Sequence, residues 1–197
     1  MDLQSLHTLH LHQKVTMMVN RYEAFADNGS GEPGPTVAFA EQKRMTFKEQ
    51  VTIYTDSSKQ QVLAGFKARK VIDLGSGYDV VDANGQSIGL FRKDFGKSLV
   101  NSTWHLEPYG VQGTMTGRER SQAVAVLRRI WNFLPFVENF PFPMRYHFDI
   151  ARDGVPVFSV DKKTWVRDHY LIRIQDPTID RRLVIAMAVA LDALQSR

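Results

Sequence analysis

Apolar and polar positions alternate with a period of two along most of this chain, then give way near its end to a run that is apolar on every side. Leu9 and Leu11 open the alternation, with residues 14–19 continuing it. Strand-like runs follow at residues 36–40, 50–55, 61–66, 69–74 and 78–81, rich in the Val, Ile, Tyr and Phe that suit a pleated, half-buried surface. Residues 27–35, dense in Gly, Pro, Asp and Asn, interrupt the pattern as a loop. Two hairpins are predicted. In the first, Asn84 and Gly85 supply the two positive-φ residues of a tight turn within residues 78–91; in the second, Asp153 and Gly154 do the same between residues 145–150 and 155–160. A tyrosine leads each hairpin, Tyr78 and Tyr146, which hints at an internal duplication.

The final run, residues 182–194, is helix-forming and has no polar face, so it has to be buried. It is shorter than the roughly 20 apolar residues that a membrane span needs. The chain is therefore not expected to be an integral membrane protein, and the strands upstream must enclose Leu183, Ile185, Met187, Val189 and Leu191. A second helical pattern lies mid-chain. Ala123, Val124, Leu127, Ile130, Trp131 and Leu134 recur at three-and-four spacing, Arg120, Arg128 and Arg129 lie off that stripe, and Pro135 ends it. A crossover helix packed on the sheet explains it; the rival is an interfacial helix with an aromatic edge at Trp131, Phe133 and Phe136.

Composition adds bounds. With 197 residues, 43% of them hydrophobic and 23% charged, the chain suits one globular domain spanning residues 1–197. The absence of cysteine excludes disulfides, thiolate metal sites and a cysteine nucleophile, and favours a reducing cytoplasm. The N-terminus has an early acid and no apolar secretory core. A net charge of +4 permits contact with anionic lipid without demanding it.

Candidate chemistry is sparse. His10 and His12 share one face of a strand, near His7, but lack an acid or further ligand, so no metal and no other cofactor is expected. His105, His147 and His169 are scattered and no nucleophile elbow is present, which argues against an enzyme. Gly75, Gly77 and Gly85 read as turns, with no phosphate loop. Residues 91–95 mix aromatic and basic side chains, but strand alternation separates them and nucleic acid is not the expected partner. Lys67, Arg69, Arg92, Lys93 and Lys97 are the candidate anion-binding set; Lys67 and Arg69 fall on one side of a strand.

The Asn84-Gly85 hairpin running into residues 88–93, the arginines at Arg128 and Arg129, and the Asp176-Pro177 turn before the apolar helix together resemble the LURP-one-related family, over roughly residues 10–194. That family is related to phospholipid scramblases and to the Tubby C-terminal domain. The resemblance implies a mainly β fold, a closed antiparallel barrel of about twelve strands around a hydrophobic C-terminal helix. Residues 168–180 spread their acids and include Arg173, unlike a calcium loop, so calcium-dependent scrambling is not expected. The reading that follows is a noncatalytic, cytoplasmic binding module, peripheral to the membrane, taking an anionic or phosphoinositide-like lipid headgroup. The alternatives are a protein-interaction domain, or a small-ligand carrier or enzyme with a pocket at one end of the barrel.

Overall fold

Where apolar and polar residues alternate, strands form and join edge to edge in the computed structural model, which describes residues 1–15, 19–43, 50–69, 77–94, 103–120, 147–163 and 169–195. Among the described residues there are twelve: β1 (Thr8–Val15), β2 (Val19–Asp27), β3 (Pro33–Lys43), β4 (Gln50–Tyr54), β5 (Val62–Ala68), β6 (Tyr78–Asp82), β7 (Ser87–Asp94), β8 (Thr103–Pro108), β9 (Met115–Glu119), β10 (His147–Arg152), β11 (Val155–Lys162) and β12 (His169–Ile174). Each pairs antiparallel with its neighbour in sequence, and β1 pairs with β12, so the sheet closes into a barrel. Leu9 lies opposite Ile172 and Leu11 opposite Tyr170 across that closing seam. Closure removes the unpaired edges that an open sheet would expose.

The apolar final run forms α1 (Arg181–Gln195) inside this barrel. Leu183, Ile185, Met187, Val189 and Leu191 are all at most 1% exposed, as the absence of a polar face required. The helix lies closest to β5, β6 and β7. Inward residues there are small where it approaches: a Cβ on Gly89 would fall 2.9 Å from a Leu183 methyl and 3.0 Å from the Glu107 carbonyl oxygen. Larger inward residues, among them Phe91, Trp104, Phe148 and Tyr170, complete the packing.

The end where α1 enters is sealed by polar contacts. Asp180 Oδ1 accepts the Arg182 backbone N–H at 2.8 Å and caps the helix. Arg181 is 1% exposed, and its guanidinium donates to the carbonyls of Leu6 (2.8 Å), Pro177 (3.1 Å) and Ile179 (2.6 Å). A short 3-10 turn, Leu3–Ser5, holds Gln4 against the same spot: its Nε2 donates to Ile179 O at 2.8 Å and its Oε1 accepts the Arg181 N–H at 3.2 Å. At the end where α1 leaves, Asp192 is buried and accepts the hydroxyls of Tyr22 (2.8 Å) and Tyr170.

The two predicted turns differ in detail. Asp153 (φ 50°) and Gly154 (φ 84°) are both left-handed, as the tight hairpin requires. In the other hairpin Gly85 has φ 79° but Asn84 has no positive φ, so the expected two-residue turn is replaced by a wider one. Asp82 N donates to Gln86 O at 2.9 Å, and the Asp82 carboxylate accepts the backbone N–H groups of Asn84 and Gln86, which holds Asn84 in ordinary backbone geometry. The strands expected from the sequence omit β2 beyond Val19, β8, β9 and β12, and β3 begins at Pro33, inside the expected loop. Arg69 lies just beyond β5; the rest of the strand expected at 69–74, and the helical pattern beyond Arg120, fall outside the described residues.

Candidate functional site

With the lumen filled, the outer wall and the two ends of the barrel are left for binding. On β5, Ala64 and Phe66 face the core, so Lys67 projects outward, opposite Asp79 of β6. Arg69 follows on the same outer side: its backbone N–H donates to Gly77 O at 3.0 Å, and its Nε and Nη2 both reach Asp79 Oδ1 at 2.8 Å. The hydrogen bond that Arg69 donates to Asp79 raises the guanidinium pKa still further, so Arg69 is charged at any working pH. On β7, Phe91 faces inward and Arg92 outward, where its Nε stands 3.7 Å from Glu107 Oε1. Gly77 joins the two rows, since a Cβ there would lie 3.1 Å from Arg92 Cβ.

Lys67, Arg69 and Arg92 therefore share one outer face of neighbouring strands. Lys93 does not: it points to the other side of β7, with Nζ 5.8 Å from the ring centre of the wholly buried Trp104. Lys97 lies outside the described residues. Sequence reasoning missed the counter-charges Asp79 and Glu107, because only the register of β5 to β8 sets them beside the arginines. Lys67 has no carboxylate partner among the described residues. A hollow of about 390 Å³ continues this face toward the helix-entry end, with Arg69, Asp79, Leu90, Glu107 and Tyr109 in its lining.

Acidic side chains gather in the turns at one end of the barrel. The turns and termini at the helix-entry end, residues 1–7, 27–33, 55–61, 82–87, 109–114, 152–155 and 175–182, hold eight Asp or Glu against four Lys or Arg. Toward the opposite end the strands carry Lys14, Arg21, Lys67, Arg92 and Arg118 among acids such as Glu41, Asp79 and Glu119, and Arg69 follows β5.

A second polar cluster lies on the outer side of β1 and β12. His10, although on that outer side, is 1% exposed; its Nε2 meets Asp27 Oδ2 at 2.8 Å and its Nδ1 meets His169 Nε2 at 3.0 Å. The His12 ring stands edge-on to His169, with centroids 4.4 Å apart. Burial, aided by the neighbouring His12, His10 and Lys163, pulls His169 down to about 4, and burial with His10 lowers His12. The hydrogen bond from His10 holds Asp27 below the usual carboxylate range. His12 pairs with His169 across the seam between β1 and β12, a juxtaposition of residues far apart in sequence that no local pattern announces. Among the described residues, no three His, Asp or Glu side chains are arranged to hold a metal ion.

A closed twelve-strand barrel filled by a single apolar helix, with its polar chemistry displayed outside, defines the class of protein. The model of the LURP-one-related family matches residues 36–192, most of the chain, and the protein belongs to that family. No curated protein and no solved structure matches it. No described helix is long and apolar enough to cross a membrane.

Proposed function

We propose that this chain is a noncatalytic binding module that takes anionic lipid headgroups at a membrane surface on its outer basic face. One observation carries the reading: Lys67, Arg69 and Arg92 project together from β5 to β7, away from the acidic helix-entry end. The existing ion pairs do not stand in the way. Arg69 and Arg92 are about half exposed, and surface pairs of this kind are worth only about 0.2–1 kcal/mol, so a phosphate displaces a carboxylate at small cost. The acidic excess of the helix-entry turns disfavours approach to an anionic surface by that end. The family's relatives with Tubby-type barrels, which bind phosphoinositides through surface Lys and Arg, agree with this choice, and the setting it implies is cytoplasmic and peripheral to the membrane.

Sedimentation with acidic and neutral liposomes tests the proposal. Binding to acidic vesicles should fall as salt rises, since exposed charges are screened over about 8 Å at physiological ionic strength. Each basic residue near an acidic surface contributes about 1 kcal/mol, so Lys67→Glu with Arg92→Glu should lower affinity at least about tenfold while the melting temperature stays put. A wild-type protein that shows no preference for acidic vesicles at low salt would end the lipid reading.

A further inference from the structure

The barrel closes through its histidines. His12 lies opposite His169 across the seam and His10 lies opposite Leu171 beside it, so three imidazoles sit within a pairing that runs from Thr8 to His12 on β1 and from His169 to Arg173 on β12. Both ring nitrogens of His10 are engaged, Nε2 by Asp27 Oδ2 at 2.8 Å and Nδ1 by His169 Nε2 at 3.0 Å. Two ring nitrogens that close share one proton, because a second sets two N–H groups head to head. The two rings together therefore hold at most three protons, a single positive charge, which Asp27 balances. A further proton drives them apart. His12 adds to the constraint: its ring stands edge-on to His169, and its Nε2 is buried without a hydrogen-bond partner, where a charge has no solvent.

The surroundings do little for a second charge. On β2, Asp27 is committed to His10, Glu23 opposite His12 accepts the Thr36 hydroxyl at 2.9 Å, and Arg21 pairs with Glu41. Glu23 favours the charged form of His12, but burial and His10 outweigh it. Lys14 follows His12 on the outer row of β1, and Lys163, just after β11, faces His169. On β12, Arg173 is held by Asp161 of β11, which also engages His147 and Arg120.

Pairing decides what gives way. β1 is matched to β2 from Leu9 to Val15, but to β12 only from Thr8 to His12. β12 is matched to β11 and is tied to it further by the N–H groups of Gln175 and Asp176, which donate to Val157 O at 2.8 and 3.0 Å. Repulsion at the seam is relieved by parting β1 from β12 while each keeps its other neighbour. That uncovers Leu9, Leu11, Tyr170 and Ile172, all at most 1% exposed in the closed barrel.

We propose that His10, His12 and His169 form a proton-operated latch, which holds the barrel shut at neutral pH and, on taking a second positive charge, lets β1 and β12 part locally while the rest of the fold stands. The slot so opened leads to the apolar flank of α1. The direction follows from the preference of the closed seam for neutral rings. Burial, with His12, His10 and Lys163, puts His169 at about 4, against 6.5 for a ring in water, so closure is fully favoured above about pH 6.5 and is lost as pH falls toward 4. For His169 alone this raises the open fraction about thirtyfold between about pH 7.5 and pH 5.

Hydrogen–deuterium exchange of the full chain at those two pH values, read by mass spectrometry and corrected for the intrinsic effect of pH on exchange, tests the latch. Peptides covering residues 8–12 and 169–173 should lose protection about thirtyfold, and peptides from β6 and β7 should lose less than about a tenth as much. His169→Gln, neutral at every pH, should keep the seam's protection constant, and His12→Gln should reduce its loss. Seam protection in the wild-type chain that is indifferent to pH overturns the proposal. So does an equal loss in β6 and β7, which would make the effect global unfolding, or a wild-type loss in both variants, which would place the sensitive groups elsewhere.

Discussion

The Tyr22 hydroxyl donates to the Asp192 carboxylate at 2.8 Å, tying the second strand of the barrel to the last turns of the helix inside it. Tyr170 does the same from β12. The two tyrosines flank β1 on either side, so the carboxylate fixes both the rotation of α1 and the seam where the barrel closes. Hydrogen bonds to a buried charged group contribute about 1.5–3 kcal/mol each. Tyr22→Phe is expected to destabilise by that amount, which for a chain of this size lowers Tm by about 3–12 °C. A thermal melt unchanged by the substitution would show that the contact is incidental.

Close approach of helix and wall gives a second expectation. Gly89→Ala adds a methyl within 3.0 Å of both Leu183 and the Glu107 carbonyl, where overpacking costs about 1–3 kcal/mol. Leu183→Ala alone is expected to cost about 2–5 kcal/mol through its cavity. The double variant should fall short of the sum, because each change relieves the other, and a chemical-denaturation cycle measures that coupling. Strict additivity would place the two residues out of contact.

The histidine cluster sets a direction for pH. His169 titrates at about 4 in the folded chain against 6.5 for an ordinary imidazole, so the fold favours the neutral ring. The stability this contributes is complete above about pH 6.5 and is lost progressively as pH falls toward 4, where the unfolded chain binds the extra proton first. His12 shifts in the same direction. Melts between pH 7 and 4.5 should show Tm falling over that window, and His169→Gln should flatten the slope. An equal slope in the variant would assign the loss to other groups.

Removing α1 takes away the core. Five of its large apolar residues, Leu183, Ile185, Met187, Val189 and Leu191, each contribute about 1.5–3 kcal/mol of hydrophobic free energy on burial. A chain ending at Asp180 should be aggregated or unfolded, with no cooperative transition in calorimetry. A sharp melt in that product would mean that the barrel stands without its filling.

How much of this was legible in the sequence depends on whether the cause was local. The all-round apolar run from Leu183 had one physical outcome, and burial is what it met. The turn at Asp153 and Gly154 was likewise written in two adjacent residues. Asn84 and Gly85 carry the same signature, yet the Asp82 side chain bonds the next backbone N–H groups and selects a wider turn. β8 does alternate, polar at Thr103, His105 and Glu107 and apolar at Trp104 and Leu106, so it was legible; in β12 the outward Leu171 interrupts the alternation that His169 and Arg173 would otherwise give. Lys67 and Arg69 could be put on one side of a strand by counting residues. That Asp79 and Glu107 answer Arg69 and Arg92, that Lys93 turns to the other side over Trp104, and that His169 joins His10 all depend on cross-strand register, which is set by the whole barrel.

The seam between β1 and β12 also dictates an order of events during folding. The first strand finds its second partner only after β12 exists, and the wall finds its filling only after α1 has left the ribosome. Contacts this distant in sequence form slowly, and until then strand edges and inward faces stand open to other chains. The same closure that leaves the finished barrel without an edge makes its nascent form a client for whatever shields unfinished sheets in the cell.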